Sequence, residues 1–422
     1  MKHWMLATMA WRNLWKNRRR TLITLSSFAF GTMLAVIFTG MGDASYHQMI
    51  DLAASMGGGH VTIQHADYLE RPSLKRRVRG DDDLFREMRQ YSEVTGVVSR
   101  ISGTAMLATA GHNYGALFLA IDPAQESDAT LSISKDLHEG EMLSTSDGDG
   151  IVLGAILAEN LDVKIGRKVI YTMTDIHGEI VTGLARVRGI IKTGAPSVDG
   201  GLCLFPIDAI RAVLGYEENA ATQIALMLDD ERKSDEIARK ISTQLSLIPH
   251  QSPDESPVAL AWHQTQPDLA GFIALDRAGN VVFQLIIMVL IAAGIFNSLF
   301  VSVMERMREF GIMLALGFSP KNLAALVLWE SFWIAIVGLF TTALVTVAPY
   351  YYLNVYGIDF SAMLGEGYEV SGIAMESVLY SDIYAVSLLR IAIVVVLATM
   401  VSGLYPAWKA ARMVPIDSIK LV

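Results

Sequence analysis

Four stretches of this chain are long and apolar enough to cross a bilayer, which takes about 20 helical residues. They run over 21–42, 281–304, 322–346 and 387–405. With 52% apolar residues, 18% charged residues and a mean hydropathy of +0.37, the composition is not that of an ordinary soluble enzyme. The net charge of −9 argues against wholesale nucleic-acid binding, since such proteins carry clustered excess Lys and Arg against phosphates. A single cysteine, Cys203, permits neither an intramolecular disulfide nor a multi-cysteine metal site, and reads as a core residue.

Arg18, Arg19 and Arg20 precede the first stretch as in a signal peptide. Its uncharged run of 22 residues exceeds the ~7–15 of a signal core, so it reads as a retained anchor. Charge between the spans sets the orientation, because Lys and Arg accumulate in short cytoplasmic segments. Residues 1–20 hold six basic and no acidic side chains, the link 305–321 three and two, and the tail 406–422 three and one. Residues 43–277 hold 21 basic against 34 acidic, and 347–386 five acidic and no basic. The expectation is a membrane protein with both termini cytoplasmic and the domain 43–280 and loop 347–386 outside. The fold class is thus four transmembrane α-helices, with a large α+β domain, on the outer side, inserted between helices 1 and 2 on a helical stalk. Glu330 is the interior charge that stands out in the spans; it reads as a hydrogen-bonder near the cytoplasmic side, in need of a partner.

Beyond Asp43, Met49, Ile50, Ala53 and Met56 keep a helical spacing until Gly57, Gly58 and Gly59 end it. Leu269, Ala270, Phe272 and Ile273 lead into the second span without a breaker, which gives two stalk helices. Between them, 60–64, 94–98, 116–121, 168–173 and 222–228 read as strands, and 81–90, 155–161, 208–214 and 231–247 as helices. Residues 139–150 and 194–201 read as loops, and 248–258, with Pro249, Pro253 and Pro257, as the return to the stalk. Little chemistry is visible. His138-Glu139 opens an H-E-x-x-H pattern that Met142 breaks, His60 and His65 fall on opposite faces of a strand, and Ser132 with Lys135 is an S-x-x-K pair of the kind chance supplies. No metal ligand set and no catalytic residue is assigned.

The link between the second and third spans, Glu305-Arg306-Met307-Arg308-Glu309-Phe310-Gly311-Ile312-Met313-Leu314-Ala315-Leu316-Gly317, reads as a short helix at the inner surface. Gly317 is its stop, and Ser319-Pro320 supply the N-cap and first turn of the next helix. This E-R-x-R-E-x-G-x-x-x-A-L-G pattern resembles the coupling-helix motif of MacB-type ABC transporter permeases, the family of the lipoprotein-releasing and FtsX-like permeases. The opening Arg12-Asn13-Leu14 to Arg20-Thr21 with Gly31, the segments 59–63 and 151–166, Gly357-Ile358-Asp359-Phe360-Ser361 and Tyr405-Pro406-Ala407 to Ala410 with Pro415 are similar to the same family.

What the resemblance implies is a permease of a bacterial inner membrane, its large α+β domain periplasmic, that pairs with a second permease chain, as homodimer or related heterodimer, and with two P-loop ABC ATPase subunits that carry ATP and Mg. It implies mechanotransmission: closure of the ATPases moves the stalks and outer domain. No G-x-x-x-x-G-K-[ST] occurs, and only 20 residues precede the first span, so the ATPase is expected on another chain. On this reading Glu305, Arg306, Arg308 and Glu309 contact the ATPase groove, Phe310, Met313 and Leu314 anchor in it, and Gly311, Ala315 and Gly317 complete the element. Reversing Arg306 and Glu309 is expected to uncouple hydrolysis. At the N-terminus, Trp4, Trp11 and Trp15 share a helical face, with Arg12, Lys16 and Arg19 on an adjacent one, as in a helix within the headgroup layer.

Seven of the fourteen tyrosines fall in 347–386. Either they form an interfacial aromatic belt, or Tyr350, Tyr351 and Tyr352 with Phe38 and Met41 frame a lateral opening for a lipid-anchored client. The function expected is extraction or export of a lipoprotein or amphiphile from the outer face of the inner membrane to a periplasmic acceptor. The alternatives are an FtsX-like regulator of a periplasmic cell-wall hydrolase, and periplasmic efflux of a peptide or antibiotic.

Overall fold

A computed structural model describes residues 3–145, 148–246, 256–364, 369–370, 373–374 and 378–412. Pro249, Pro253, Tyr368, Pro415 and the end of the helix expected to reach Leu247 lie outside the described residues. The chain divides into two units: 1–45, 274–359 and 378–422 make one, and 46–273 with 360–377 the other.

Besides two one-turn helices at Trp262–Thr265 and Ser361–Leu364, the described helices are α1 (His3–Leu14), α2 (Arg18–Met56), α3 (Asp82–Met88), α4 (Ala155–Asn160), α5 (Pro196–Gly201), α6 (Ile207–Leu214), α7 (Ser234–Leu245), α8 (Pro267–Glu305), α9 (Met307–Ala315), α10 (Pro320–Val355) and α11 (Ala385–Ala411). Four of them, α2, α8, α10 and α11, are long and apolar enough to cross a membrane. At 39 residues each, α2 and α8 are about 58 Å long, nearly twice the roughly 30 Å of a hydrocarbon core.

In the membrane-spanning unit the four helices pack around Phe28, Ile291, Ile295, Leu299, Ile334 and Val395. A second cluster joins α1 to α9, α10 and α11 through Leu6, Ala10, Phe310, Leu326, Val327 and Ala407. α1 is shorter than the helix expected over 1–20: the Thr21 hydroxyl donates to the Leu14 carbonyl at 2.5 Å, so the chain turns and restarts at Arg18. α10 runs on to Val355 with Pro349 inside it, and α11 to Ala411 past Pro406. Tyr350, Tyr351 and Tyr352 therefore lie on a helix rather than in the outer loop.

The second unit is built on ten strands: β1 (Val61–His65), β2 (Val94–Ala108), β3 (Asn113–Ile121), β4 (Leu137–Gly140), β5 (Gly150–Gly154), β6 (Lys168–Thr174), β7 (Ile180–Ile191), β8 (Leu202–Pro206), β9 (Gln223–Leu228) and β10 (Pro257–Ala261). Their order is β10-β1-β9-β2-β3-β8-β5-β7-β4, with β6 pairing both β2 and β7. The pairs β3–β8 and β5–β7 are parallel and the others antiparallel. The double pairing of β6 closes six strands into a ring around Ile101, Phe118, Tyr171, Val187, Cys203 and Phe205. Cys203 is fully buried, and that burial pushes its thiol pKa far up, as a core residue requires. The open end, β10-β1-β9-β2, is covered by α3 and α7 through Phe85, Met88, Ile237 and Ile241.

Two segments expected as loops differ. Residues 196–201 form α5, with Pro196 in its first turn and Asp199 accepting from the Thr193 and Gly194 amides at 2.8 and 3.2 Å. The stretch 139–150 contains the end of β4 and the first residue of β5. The expected helix 231–247 begins as a 3-10 turn, Glu231–Lys233, before α7.

Candidate coupling site and stalk joint

α9 is a two-turn elbow between α8 and α10. Gly317 takes φ +95°, a conformation that costs other residues strain, and the Phe318 amide bonds back to the Met313 carbonyl at 3.0 Å. The Ser319 hydroxyl accepts from the Asn322 amide at 3.3 Å and Pro320 stands in the first turn, so one helix stops and the next starts within five residues.

The face that α9 turns inward is not the one expected. Phe310 is fully buried against α1, α10 and α11, Gly311 is buried, and Met313 and Leu314 are half-buried against the same cluster. Arg306 points inward as well: its Nη1 donates to Glu330 Oε1 at 2.7 Å and its Nε to Glu309 Oε2 at 3.2 Å. Glu330, 4% exposed, also accepts from Asn13 Nδ2 at 3.0 Å. A carboxylate so placed needs this pairing, because desolvating it unpaired costs several kcal/mol. Arg306 thus holds α9 against α10, and reversing its charge acts by stranding Glu330. The exposed face consists of Glu305, Arg308, Glu309, Ile312, Ala315, Leu316 and Gly317. Leu316, 83% exposed, and Ile312, 47%, are the outward apolar side chains that sequence reasoning did not assign. Their spacing of four, on the face opposite Phe310, was the available signal.

Two ion pairs tie this elbow to the N-terminal segment. Lys16 Nζ meets Glu309 Oε1 at 2.5 Å and Arg20 Nη1 meets Glu305 Oε2 at 2.6 Å. The hydrogen bond from Lys16, and then that from Arg306, hold the Glu309 carboxyl below its usual pKa. Trp11 stacks edge-on against Trp15 and Trp333, and Trp333 Nε1 donates to the Ala7 carbonyl at 3.0 Å, while Trp4 is 81% exposed. Trp15 and Lys16 lie in the turn after α1 and Arg19 lies in α2, so the expected continuous helical face is broken; Arg12 and Arg19 are exposed.

The client-binding candidates have different partners. Phe38 stacks edge-on with Phe283, and Met41 is half-buried. Tyr351 and Tyr352 are exposed, the latter beside Tyr356. Tyr350 accepts from the Ile383 amide at 3.0 Å, and lines an apolar cavity of about 250 Å³ with Thr32, Val36, Thr346 and Leu388. A larger cavity, about 840 Å³, runs between α2 and α8, from Arg20 and Glu305 past Gly31 to Leu290.

In the second unit, the stalk portions of α2 and α8 meet through Tyr46, Met49, Ile50, Ala53, Leu269 and Ile273. α2 ends where Gly59 takes φ +87°, with the place of a Cβ only 2.7 Å from the Leu226 backbone. Arg100, a lone charge between Val97, Val98 and Ile101, is fully buried. It pairs with Glu126 at 2.9 Å and donates to the Thr130 carbonyl at 2.6 Å and to the Gly57 carbonyl, fastening the end of α2 to β2. His60 Nε2 meets Asp51 Oδ1 at 2.8 Å, while its Nδ1 accepts from the Leu228 amide at 3.1 Å. His65 is separate, its Nδ1 accepting from the Asp67 amide at 3.1 Å.

Four apolar helices and a mixed-sheet domain inserted after the first define a membrane permease with an outer domain. The chain belongs to the MacB-type ABC transporter permease family: residues 21–244 match the MacB-like periplasmic core domain and 281–415 the FtsX-like permease C-terminal domain. It is 22% identical to the lipoprotein-releasing system transmembrane protein LolC of Xylella fastidiosa, over 78% of each chain. It is 22% identical to an uncharacterized ABC transporter permease, MJ1507, of Methanocaldococcus jannaschii, over 98% of this chain and 97% of that one. It is likewise 22% identical to the pyoverdine export ATP-binding/permease protein PvdT of Pseudomonas putida, over 97% of this chain and 58% of that one. The crystal structure of the periplasmic region of MacB from Actinobacillus actinomycetemcomitans is matched at 13% identity and a TM-score of 0.34, over 50% of this chain and 93% of that one.

Proposed function

We propose that the chain is the mechanotransmitting permease of an ABC complex, paired with a second permease chain and driven by two separate P-loop ATPase subunits that bind ATP and Mg. The observation that carries this reading is α9. It is a short helix between two spans, braced from inside by Arg306, Glu330 and Phe310, and it presents Arg308, Glu309, Ile312 and Leu316 outward. A braced helix with an exposed apolar pair ringed by charge suits docking into a groove on a moving partner. Both termini and α9 then face the cytoplasm, in agreement with the basic excess at 1–20. Displacement of α9 is carried along α8 and, through the Lys16 and Arg20 ion pairs, to the start of α2. The client is a lipid-anchored or amphiphilic molecule taken from the outer face of the membrane; the relation to LolC favours a lipoprotein.

The test is purification from the native membrane in mild detergent, with mass spectrometry of what remains bound. A stoichiometric P-loop ATPase with lipoprotein supports the proposal. An ATPase with a cell-wall hydrolase in place of lipoprotein supports a regulatory role instead, and the absence of any ATPase from an intact complex contradicts the mechanism.

A further inference from the structure

The first turn of the stalk beyond residue 45 carries a cluster that the permease reading does not use. His47 and Asp51, one helical turn apart on α2, project from the same face. Glu231, from the 3-10 turn after β9, reaches them with a side chain only 5% exposed. His47 Nδ1 lies 2.8 Å from Glu231 Oε2 and its Nε2 3.4 Å from Asp51 Oδ2. One nitrogen and two carboxylate oxygens thus lie within 4.8 Å of one another.

We propose that His47, Asp51 and Glu231 form a zinc site that pins the stalk helix α2 to the β-sheet. The donor set is one imidazole nitrogen and two carboxylates, which suits zinc and leaves a fourth position for water. Two carboxylates beside a neutral imidazole are balanced in charge by one divalent ion. His60 supplies the outer support: because its Nδ1 accepts from the Leu228 amide, its Nε2 carries the proton and donates to Asp51 Oδ1, leaving Oδ2 turned toward the site. His47 and Asp51 are about half exposed on their outer side, 44% and 46%, which gives an ion an entry path, while the burial of Glu231 fixes the inner wall. Zinc–ligand bonds of about 2.0–2.2 Å require the His47–Glu231 contact to open by a shift on the order of 1 Å around the ion. The consequence of binding is mechanical. α2 is fastened to β2 by Arg100 at its end, and zinc adds a second fastening about two to three turns earlier, stiffening the joint that transmits movement.

The test uses the full-length chain in detergent, without a histidine tag, stripped with chelator and titrated with zinc chloride by calorimetry. The expected result is one saturable equivalent per chain, with the melting temperature raised by zinc. His47→Ala and Glu231→Gln abolish it, and His60→Gln weakens it about 10- to 100-fold, as loss of an outer-shell partner does. His138→Ala, an exposed histidine elsewhere in the unit, leaves binding intact. Cobalt in place of zinc gives the wild-type chain a tetrahedral visible spectrum, a readout independent of whether the variants fold. Absence of a saturable equivalent, or binding that survives both His47→Ala and Glu231→Gln, overturns the proposal; the first outcome identifies the cluster as an imidazolium held between two carboxylates.

Discussion

Glu330 illustrates what is legible at the scale of the residue. A carboxylate inside an apolar span announces a partner but not its identity, because the partner comes from another helix. Arg306, which the motif assigned to the outer surface, is that partner. Arg306→Ala is therefore expected to destabilise the membrane unit by about 3 kcal/mol, and the added Glu330→Gln to restore part of the loss by removing the stranded charge. Thermal unfolding of the two variants in detergent checks this; equal stability of Arg306→Ala and wild type refutes the brace. Gly59 was read as a helix stop and as the start of the family-like segment 59–63, yet it also lies against the Leu226 backbone, so Gly59→Ala is expected to cost at least about 2 kcal/mol. Glu309 supplies the pH dependence. Its pKa is lowered in the folded state, so its contribution is fully present above the ordinary value of 4.5 and fades as the pH falls through the lowered one. The stability difference between wild type and Glu309→Gln should accordingly be constant near neutrality and shrink below that value.

Elements were legible where their signal is local. The four spans, the stop at Gly317 and the cap at Ser319 follow from apolar runs and turn chemistry, and Ser319→Ala should cost α10 about 1 kcal/mol, with Ser319→Asp retaining the cap. A circular dichroism melt of both variants measures it. The strands β4, β5, β7, β8 and β10 were not identified: β5 and β8 are five-residue buried runs with no alternation to read, whereas β7 spans twelve residues with an exposed first half and was missed for no such reason. The ends of α10 and α11 were set too early, because Pro349 and Pro406 are accommodated inside long apolar helices. On α9 and its flanks the outward charges Glu305, Arg308 and Glu309 lie as expected, but Arg306 and the apolar anchors Phe310, Met313 and Leu314 turn inward for a related reason. Its charge pattern is visible in sequence, but the cluster that swallows Phe310 is assembled from α1, α10 and α11.

For the whole molecule, the insertion of a large acidic domain after the first of four spans was plain from hydropathy and charge. The closure of six strands into a ring and the Arg100 fastening depend on pairings between distant segments and left no sequence period. The central claim is that ATPase movement reaches the stalk through α9. The most direct measurement places one spin label at Leu275→Cys, a 75% exposed position on α8, and a second on the paired permease chain, and reads the distance between them in the assembled complex with and without ATP. The account predicts an ATP-dependent shift that Leu316→Asp, an outward change on α9, abolishes while the fold is retained. A shift of the same size in Leu316→Asp, or no shift in the wild-type complex during ATP turnover, would contradict it.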